Sequence, residues 1–288
     1  MKTIETIAEL RATLAQWRQA GERVALVPTM GNLHAGHLQL VEKARAEAER
    51  VVVSIFVNPL QFGDAGGGDF DRYPRTFSED RRKLSMLDAA PDALFSPSVA
   101  EVYPGGFEQE TRVEVPVISN MLCGAFRPGH FVGVATIVAK LFNMVQPDVA
   151  LFGEKDYQQL QVIRRLAADL CFPVEIIGLP TVREQSGLAM SSRNQYLSAE
   201  EREHAAVLYQ TLLRAQQQIA SGDRDLAAIQ AQASARLSEA GFRPEYVELR
   251  RQQDLLPASD QDRELVMLVA AWLGEARLID NILLTIAE

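Results

Sequence analysis

The feature that most constrains this chain is an alternation of two hydrophobic periods. Short apolar runs, "RVALVP" (23–28), "VVVSIFVN" (51–58), "DALFS" (92–96), "DVALFG" (148–153) and "VEIIG" (174–178), read as strands. Between them lie runs of helical period. "HLQLVEKARAEAER" (37–50) puts Leu38, Val41 and Ala44 on one face, and "SEDRRKLSMLDAA" (78–90) has Ser78 as its N-cap. "FVGVATIVAKLFNMVQ" (131–146) is apolar enough to be a buried helix, and "DYQQLQVIRRLAADL" (156–170) is a further helix. Alternating β and α elements imply a Rossmann-like, doubly wound, mostly parallel sheet with helices on both faces and right-handed crossovers. The opening "MKTIETIAELRATLAQW" carries Glu5 and Glu9 within its apolar pattern, so it reads as an amphipathic helix rather than a signal peptide.

Beyond residue 184 the grouping changes. "SAEEREHAAVLYQTLLRAQQQIA" (198–220), opened by a Ser198/Glu201 capping box, and "DLAAIQAQASARLSEA" (225–240) are consecutive helices. "EYVELR", "ELVMLVAAWLG" and "ARLIDNILL" then read as strands with tight turns. The expected organisation is a nucleotide- and substrate-binding domain over 1–184 and a smaller α+β lid domain over 185–288, with hinge residues near Val182 to Ser186. The net charge of −9 argues against a nucleic-acid partner, which needs a basic footprint. The longest apolar stretch, residues 265–274, is too short to span a bilayer, so no membrane partner is expected. Cys123 and Cys171, without metal-ligand spacing, are expected to be buried thiols in a reducing cytoplasm.

The most specific segment is "VPTMGNLHAGH", at the end of one strand and the start of a helix. Ligands of doubly wound sheets bind beyond the carboxyl ends of strands. A helix N-terminus offers backbone N–H groups and partial positive charge to phosphate, and Gly31 and Gly36 let the backbone come close. His34 and His37 can donate to a phosphoryl oxygen as charge builds there. A zinc site is disfavoured, because neither an HExxH pattern nor a third ligand accompanies the pair. Far downstream, "AMSSRNQYLS" (189–198) gathers Met190, Ser191, Ser192 and Arg193, two hydroxyls and a planar cation suited to polyphosphate.

"HAGH" followed by "MSSR" resembles the paired signature of the nucleotidyltransferase superfamily that includes class I aminoacyl-tRNA synthetases. More closely, "PTMGNLHAGH", "SIFVNPLQF", "RYPRT", "RPGHFVGVATIV", "LFGEKDYQQL" and "MSSRNQYLS" resemble the pantothenate synthetases, in the family's order from residue 28 to 198. The resemblance implies ATP-dependent joining of pantoate to β-alanine through a pantoyl-adenylate, with Mg²⁺, in a cytoplasmic homodimer formed through the first domain. Carried over by motif, Met30, Gly31, Asn32, Leu33, His34, Ala35, Gly36 and His37 would line ATP, as would Gly153, Glu154, Lys155, Asp156, Val182 and the MSSR residues. His34, His37 and Lys155 would be catalytic. The family's role for the position of His37 is proton donor; an electrostatic role is the open alternative, since pyrophosphate leaves without a proton at neutral pH.

By the same resemblance Gln61 and Gln159 would hold pantoate, whose hydroxyls suit an amide that both donates and accepts. Asn58, Arg127 and His130 would line that pocket, with Arg127 alternatively serving the carboxylate of β-alanine. Phe62 or Val134 would face the methyl groups. Asp156, Glu79 and Asp80 are candidate carboxylates for Mg²⁺, and the sequence does not choose among them. "GDAGGGDFD" (63–71) departs from the family; no Lys-Ser/Thr follows, so it is no P-loop but a flexible loop beside the site, which leaves the placement of Arg72 and Arg75 open. Within the superfamily the alternative is a nucleotidyltransferase that stops at a nucleotide-linked product.

Overall fold

The computed structural model describes residues 1–62, 69–107, 109–259 and 261–286. Most of the triple-glycine segment therefore lies outside the described residues. The chain divides into two compact units, one comprising 1–154 with 162–180, the other 155–161 with 181–288. The expected boundary fell at 184; the division falls at 180, and a short piece around Lys155 groups with the second unit.

The first unit is built on a six-stranded, all-parallel sheet. Its strands are β1 (Lys2–Ile4), β2 (Val24–Thr29), β3 (Arg50–Ile55), β4 (Ala93–Phe95), β5 (Val149–Gly153) and β6 (Glu175–Leu179), in the order β1-β4-β3-β2-β5-β6. Alternate strand residues feed opposite faces. Ala25 and Val27, Val51 and Val53, and Val149 and Leu151 pack with Leu40, Val41 and Ala44 of the helix Ala35–Glu47. Leu38 is only partly buried against that core. Strand residues such as Val24–Val27 and Val51–Val53 are fully buried, each contributing about 1.5–3 kcal/mol of transfer free energy per large apolar side chain. Among the described residues no helix is long and apolar enough to cross a membrane.

Four local expectations change. The N-terminal run is not one helix: Lys2–Ile4 pairs with β4 as an edge strand, and the helix starts at Ile7, capped by Thr6. The run 51–58 leaves the sheet after Ile55, where its partner β2 ends at Thr29, and the chain turns into the 3₁₀ segment Pro59–Phe62. The helix Phe77–Ser85 has Thr76, not Ser78, as N-cap, and the Thr76 hydroxyl donates to Asp80 (3.0 Å) instead of accepting a helix amide. Cys171 is exposed at φ +54° just past the helix Tyr157–Asp169; only Cys123 is buried.

The second unit carries the antiparallel sheet β7 (Arg243–Arg251), β8 (Glu264–Leu273) and β9 (Ala276–Thr285) in that order. Helices Ala206–Ala220 and Leu226–Glu239 pack on it through Leu208, Leu212, Ile229 and Leu237 against Leu265, Met267 and Val269. The expected long helix from Ser198 divides at Ala205. The Ser198/Glu201 capping box is formed, and His204, at the end of the first piece, donates to the Ala240 carbonyl at 2.6 Å.

Candidate active site

In the first unit β2 and β5 are neighbours, and the connections leave them toward opposite edges of the sheet. Their carboxyl ends therefore mark the topological switch point, the usual ligand crevice of such sheets. β2 runs directly into Met30–His37 there, and β5 ends on Gly153 and Glu154.

The histidine corner is held from below. Gly31 and Asn32 take left-handed φ values of 82° and 51°, and the turned backbone presents its amides to Asp80, which is fully buried. One oxygen of Asp80 accepts from the Asn32 N–H at 2.8 Å and the other from the Leu33 N–H at 2.7 Å. Lys83, a turn later on the same helix, donates to the Leu33 carbonyl at 2.7 Å. A Cβ at Gly31 would lie 3.1 Å from the Asp80 carboxylate, so the loop fits that helix closely.

His34 is the N-cap of the helix Ala35–Glu47 and His37 is its third residue, and the two make a capping box from imidazoles. The Gly36 N–H donates to His34 Nδ1 at 3.2 Å, and the His34 N–H donates to His37 Nδ1 at 3.3 Å. A neutral ring whose Nδ1 accepts must carry its hydrogen on Nε2. Both rings are thereby set as Nε2–H donors, with centroids 4.1 Å apart. This differs from the expected use of the helix start. The amides of Gly31, Asn32, Leu33, His34 and Gly36 are engaged by side chains of Thr29, Asp80, His37 and His34. The corner offers imidazole N–H groups to an anion where backbone amides were expected; Ala35 follows the cap as the first helical residue.

Beside it sits the amide cluster. Gln61 Nε2 donates to the Met30 sulfur at 2.8 Å, joining "NPLQF" to "PTMG". His130 Nδ1 donates to the Gln61 carbonyl at 2.8 Å, and Arg127 Nη1 lies 3.4 Å from His130 Nε2. Asn58, expected to line the pocket, is 1% exposed, and its amide bonds to Tyr103, Gly133 and Gln61. Val134 is buried core, and Phe62 meets Phe70 and Tyr73 edge-on. Arg75 donates to carbonyls of Phe70, Asp71 and Tyr73, while Arg72 is exposed. A separate cavity of about 300 Å³ includes Met30, Gly31 and Asp80 but neither histidine.

In the second unit a small cleft is lined by Lys155, Ser191, Arg193, Asn194 and Asp280. Lys155 of "GEKD" and Ser191 and Arg193 of "MSSR" thus line the same cleft. Lys155 has a side chain only 15% exposed; its Nζ lies 3.4 Å from Asp156, and its carbonyl accepts from Asn281 Nδ2 at 2.9 Å. Ser191 caps the short turn Ser192–Tyr196 by accepting from the Arg193 N–H. Residues 182–186, expected as a hinge, are pinned within this unit. Met190 N–H donates to the Val182 carbonyl and Glu184 N–H to that of Leu188, closing a hairpin. Arg183 makes two bonds to Asp280, at 2.6 and 2.9 Å, with its guanidinium 3.5 Å over the Tyr209 ring. Burial pushes the Asp280 carboxyl above the ordinary range, with Arg183 opposing. The Arg202 guanidinium holds Glu184 below the ordinary range, against its burial, and Asn194 adds to this. Gln159 is half-buried on the helix Tyr157–Asp169.

Each candidate Mg²⁺ carboxylate has partners within its own unit. Asp80 is committed to two amides and Thr76, Glu79 pairs with Arg82 and lies 3.9 Å from Lys83, and Asp156 faces Lys155. Among the described residues no group of three or more His, Cys, Asp or Glu side chains is placed to hold a metal. Sequence reasoning missed Tyr103, Arg183, Asp280 and Asn281. Asp280 and Asn281 did leave a signal, a carboxylate and an amide inside the apolar strand "ARLIDNILL".

A family model described as pantoate-beta-alanine ligase matches residues 2–283. The chain belongs to the pantoate–β-alanine ligase family. It is 57% identical to a pantothenate synthetase of Pseudomonas fluorescens over 98% of this chain and 97% of that one. It is 56% identical to a pantothenate synthetase of Azotobacter vinelandii over the whole of both chains. Among solved structures, a pantothenate synthetase from Thermus thermophilus superposes with a TM-score of 0.90 at 50% identity, covering 98% of this chain and 99% of that one. A pantoate–β-alanine ligase from Francisella tularensis, solved as a complex with β,γ-ATP and β-alanine, superposes with a TM-score of 0.80 at 34% identity, covering 98% and 97%. This ligase accordingly shares with them the six-stranded parallel sheet and the small antiparallel sheet.

Proposed function

We propose that the chain joins pantoate to β-alanine in two steps driven by ATP. A pantoate carboxylate oxygen attacks the α-phosphorus, forming the pantoyl-adenylate and expelling pyrophosphate. The amine of β-alanine then attacks the acyl carbon, the acyl–phosphate C–O bond breaks, AMP departs, and the nitrogen releases a proton. The observation that carries this reading is the imidazole capping box at the switch point, which sets His34 and His37 as Nε2–H donors. Such donors suit a phosphoryl group gaining negative charge, and they make the electrostatic role of His37 the favoured one.

Lys155, Ser191, Ser192 and Arg193 supply the charge and hydroxyls for the phosphates, supported by the cleft that Lys155, Ser191 and Arg193 share. Met30 and the corner, Gly153, Glu154 and Val182 serve the rest of the nucleotide. Gln61 and Gln159 hold pantoate, and Arg127 with His130 attends a carboxylate beside Gln61. Mg²⁺ prefers water and phosphate oxygens with one or two carboxylates, so it enters as the ATP complex, with a side chain such as Asp156 helping to hold it. The homodimer and the cytoplasmic location rest on the resemblance alone; sedimentation tests the first.

The deciding experiment incubates the protein with ATP, pantoate and Mg²⁺, with and without β-alanine, and follows pantothenate by mass and AMP by chromatography. Pantothenate and AMP in equal amounts, both dependent on β-alanine, are expected. A stable nucleotide-linked product that accumulates regardless of the amine would overturn the ligase reading in favour of a transferase.

A further inference from the structure

The amide cluster beside the histidines carries a direction. An amide side chain has one donating and one accepting end, and its sense must be deduced from partners of fixed character. Asn58 touches one such partner, the backbone carbonyl of Gly133 at 3.1 Å, which can only accept. The Asn58 atom facing it is therefore Nδ2. The other end, Oδ1, faces the Tyr103 hydroxyl at 2.7 Å and accepts from it. The second Nδ2 hydrogen points to Gln61, 3.3 Å away, so the Gln61 atom there is Oε1. Gln61 Nε2 is left on the side of Met30, toward the switch point.

Each link is enclosed. Asn58 and Tyr103 are each 1% exposed and Gln61 is 8% exposed. Burial raises the Tyr103 phenol above its ordinary value, with Glu110 adding to this against Arg112, so the hydroxyl keeps its proton. The Tyr103 ring lies under the Lys140 ammonium, 4.7 Å from its centroid. Gly133 comes so near the 3₁₀ turn that a Cβ there would sit 2.5 Å from Leu60 and Gln61 backbone atoms, which brings its carbonyl within reach of Asn58. The Gln61 backbone is fixed as well: its carbonyl accepts from His130, and its N–H donates to the Asn58 carbonyl at 3.4 Å.

We propose that Tyr103, acting through Asn58, is a positioning residue that locks Gln61 as an obligatory hydrogen-bond donor, so that the pocket selects a substrate presenting an acceptor oxygen at that point. The inference rests on the reading of Gln61 as a pantoate-binding residue and adds a sense to it. A flipped Gln61 would set Oε1 against the substrate and Nε2 against the Asn58 NH₂, leaving two donors opposed in a dry site. An acid offering a carboxylate or hydroxyl oxygen to Nε2 is accepted; an analogue offering only a donor there, such as an amide nitrogen, is refused.

The test measures kcat, the KM of each substrate and the melting temperature for Q61A, Q61E, Y103F and the Q61A/Y103F double variant. Gln61→Glu keeps an oxygen for Asn58 to bond but presents a second oxygen to the substrate. It is expected to raise the KM for pantoate by at least about tenfold, the cost of an unmatched buried polar contact, with the KM for ATP within about twofold of the unsubstituted enzyme. Tyr103→Phe is expected to raise the pantoate KM about three- to tenfold, and the double variant to be no worse for pantoate than Q61A. If Q61A weakens pantoate but Q61E does not, the donor sense is wrong while the pocket stands. If Q61A leaves the pantoate KM unchanged, both fall. If Y103F has an unaltered pantoate KM, raises all three KM values alike, or adds fully to Q61A, Tyr103 has no positioning role.

Discussion

His34 caps a helix with one nitrogen, and the proposed function gives the other nitrogen a second role that a substitution can separate. Its Nδ1 accepts from the Gly36 amide as a helix cap, which leaves the ring hydrogen on Nε2. Asparagine is a good N-cap but has no group in the position of Nε2. His34→Asn is therefore expected to melt close to the unsubstituted protein and yet lose about 10²-fold or more in kcat, as for removal of one transition-state donor. His34→Ala should lose a similar rate and, in addition, about 1 kcal/mol of stability from the missing cap. Steady-state kinetics beside calorimetry checks both; full activity in His34→Asn would dismiss the imidazole donor. Asp80 shows the limit of reading a residue type. A carboxylate near a candidate phosphate site suggests a metal ligand, but its partners, two loop amides and a threonine, make it a clamp on the Gly31–Leu33 turn.

At the scale of elements, one carboxylate ties three of them. Asp92, just before β4, accepts from the Val51 N–H of β3 at 2.8 Å, from Arg45 of the helix Ala35–Glu47 at 2.7 Å and from Arg50 at 2.9 Å. Burial opposes its charge, but the Val51 amide and the two guanidiniums outweigh that and hold its pKa below the ordinary value. A depressed carboxylate contributes stability that is present above its unfolded pKa and lost as pH falls through the folded one. Asp92→Asn should thus lower the melting temperature at pH 7, and the gap to the unsubstituted protein should close below about pH 4. A gap independent of pH would mean that the charge contributes nothing. The junction of the helix His130–Val145 with the turn Pro59–Phe62 gives a second prediction. At Gly133 an added methyl would meet backbone at 2.5 Å, and backbone cannot rotate away as a side chain can. Gly133→Ala is expected to cost about 1–3 kcal/mol in urea unfolding and to raise the KM for pantoate, because Asn58 and Gln61 ride on that turn.

For the whole molecule, charge sets which partners are available. With 29 basic against 38 acidic residues and a net charge of −9, the surface lacks the cationic excess that holds a polynucleotide by counterion release. Although the signature motifs resemble those of tRNA-charging enzymes, no mobility shift of tRNA is expected with micromolar protein at about 0.1 M salt. A salt-dependent shift would show a basic face that the net charge conceals.

The parallel sheet was legible because its inner strands β2, β3 and β5 are largely buried and read as continuous apolar runs, which helix-period segments punctuate. β1 was not: its three residues run into a helix-period segment with no break to set them apart, and only the partner β4 makes them a strand. The break at Ala205 and the end of β3 at Ile55 were likewise hidden, since both depend on what neighbouring elements offer to bond. The candidate site residues His34, His37, Lys155 and the MSSR loop were named from the sequence by type, spacing and resemblance. Tyr103, which bonds Asn58, the Arg183–Asp280 pair and Asn281, which bonds Lys155, were not, because each partner lies far along the chain; Arg183 and Asp280 are 97 residues apart.

The sequence by itself determined the class of fold and the chemical types gathered for the reaction, because hydrophobic period and motif spacing are local quantities written along the chain. Only the tertiary structure decided which end of each imidazole and amide meets a fixed backbone partner and which short segments keep company. Those choices are made by fixed backbone donors and acceptors such as the Gly36 amide and the Gly133 carbonyl, whose directions exist only once the chain has folded around them.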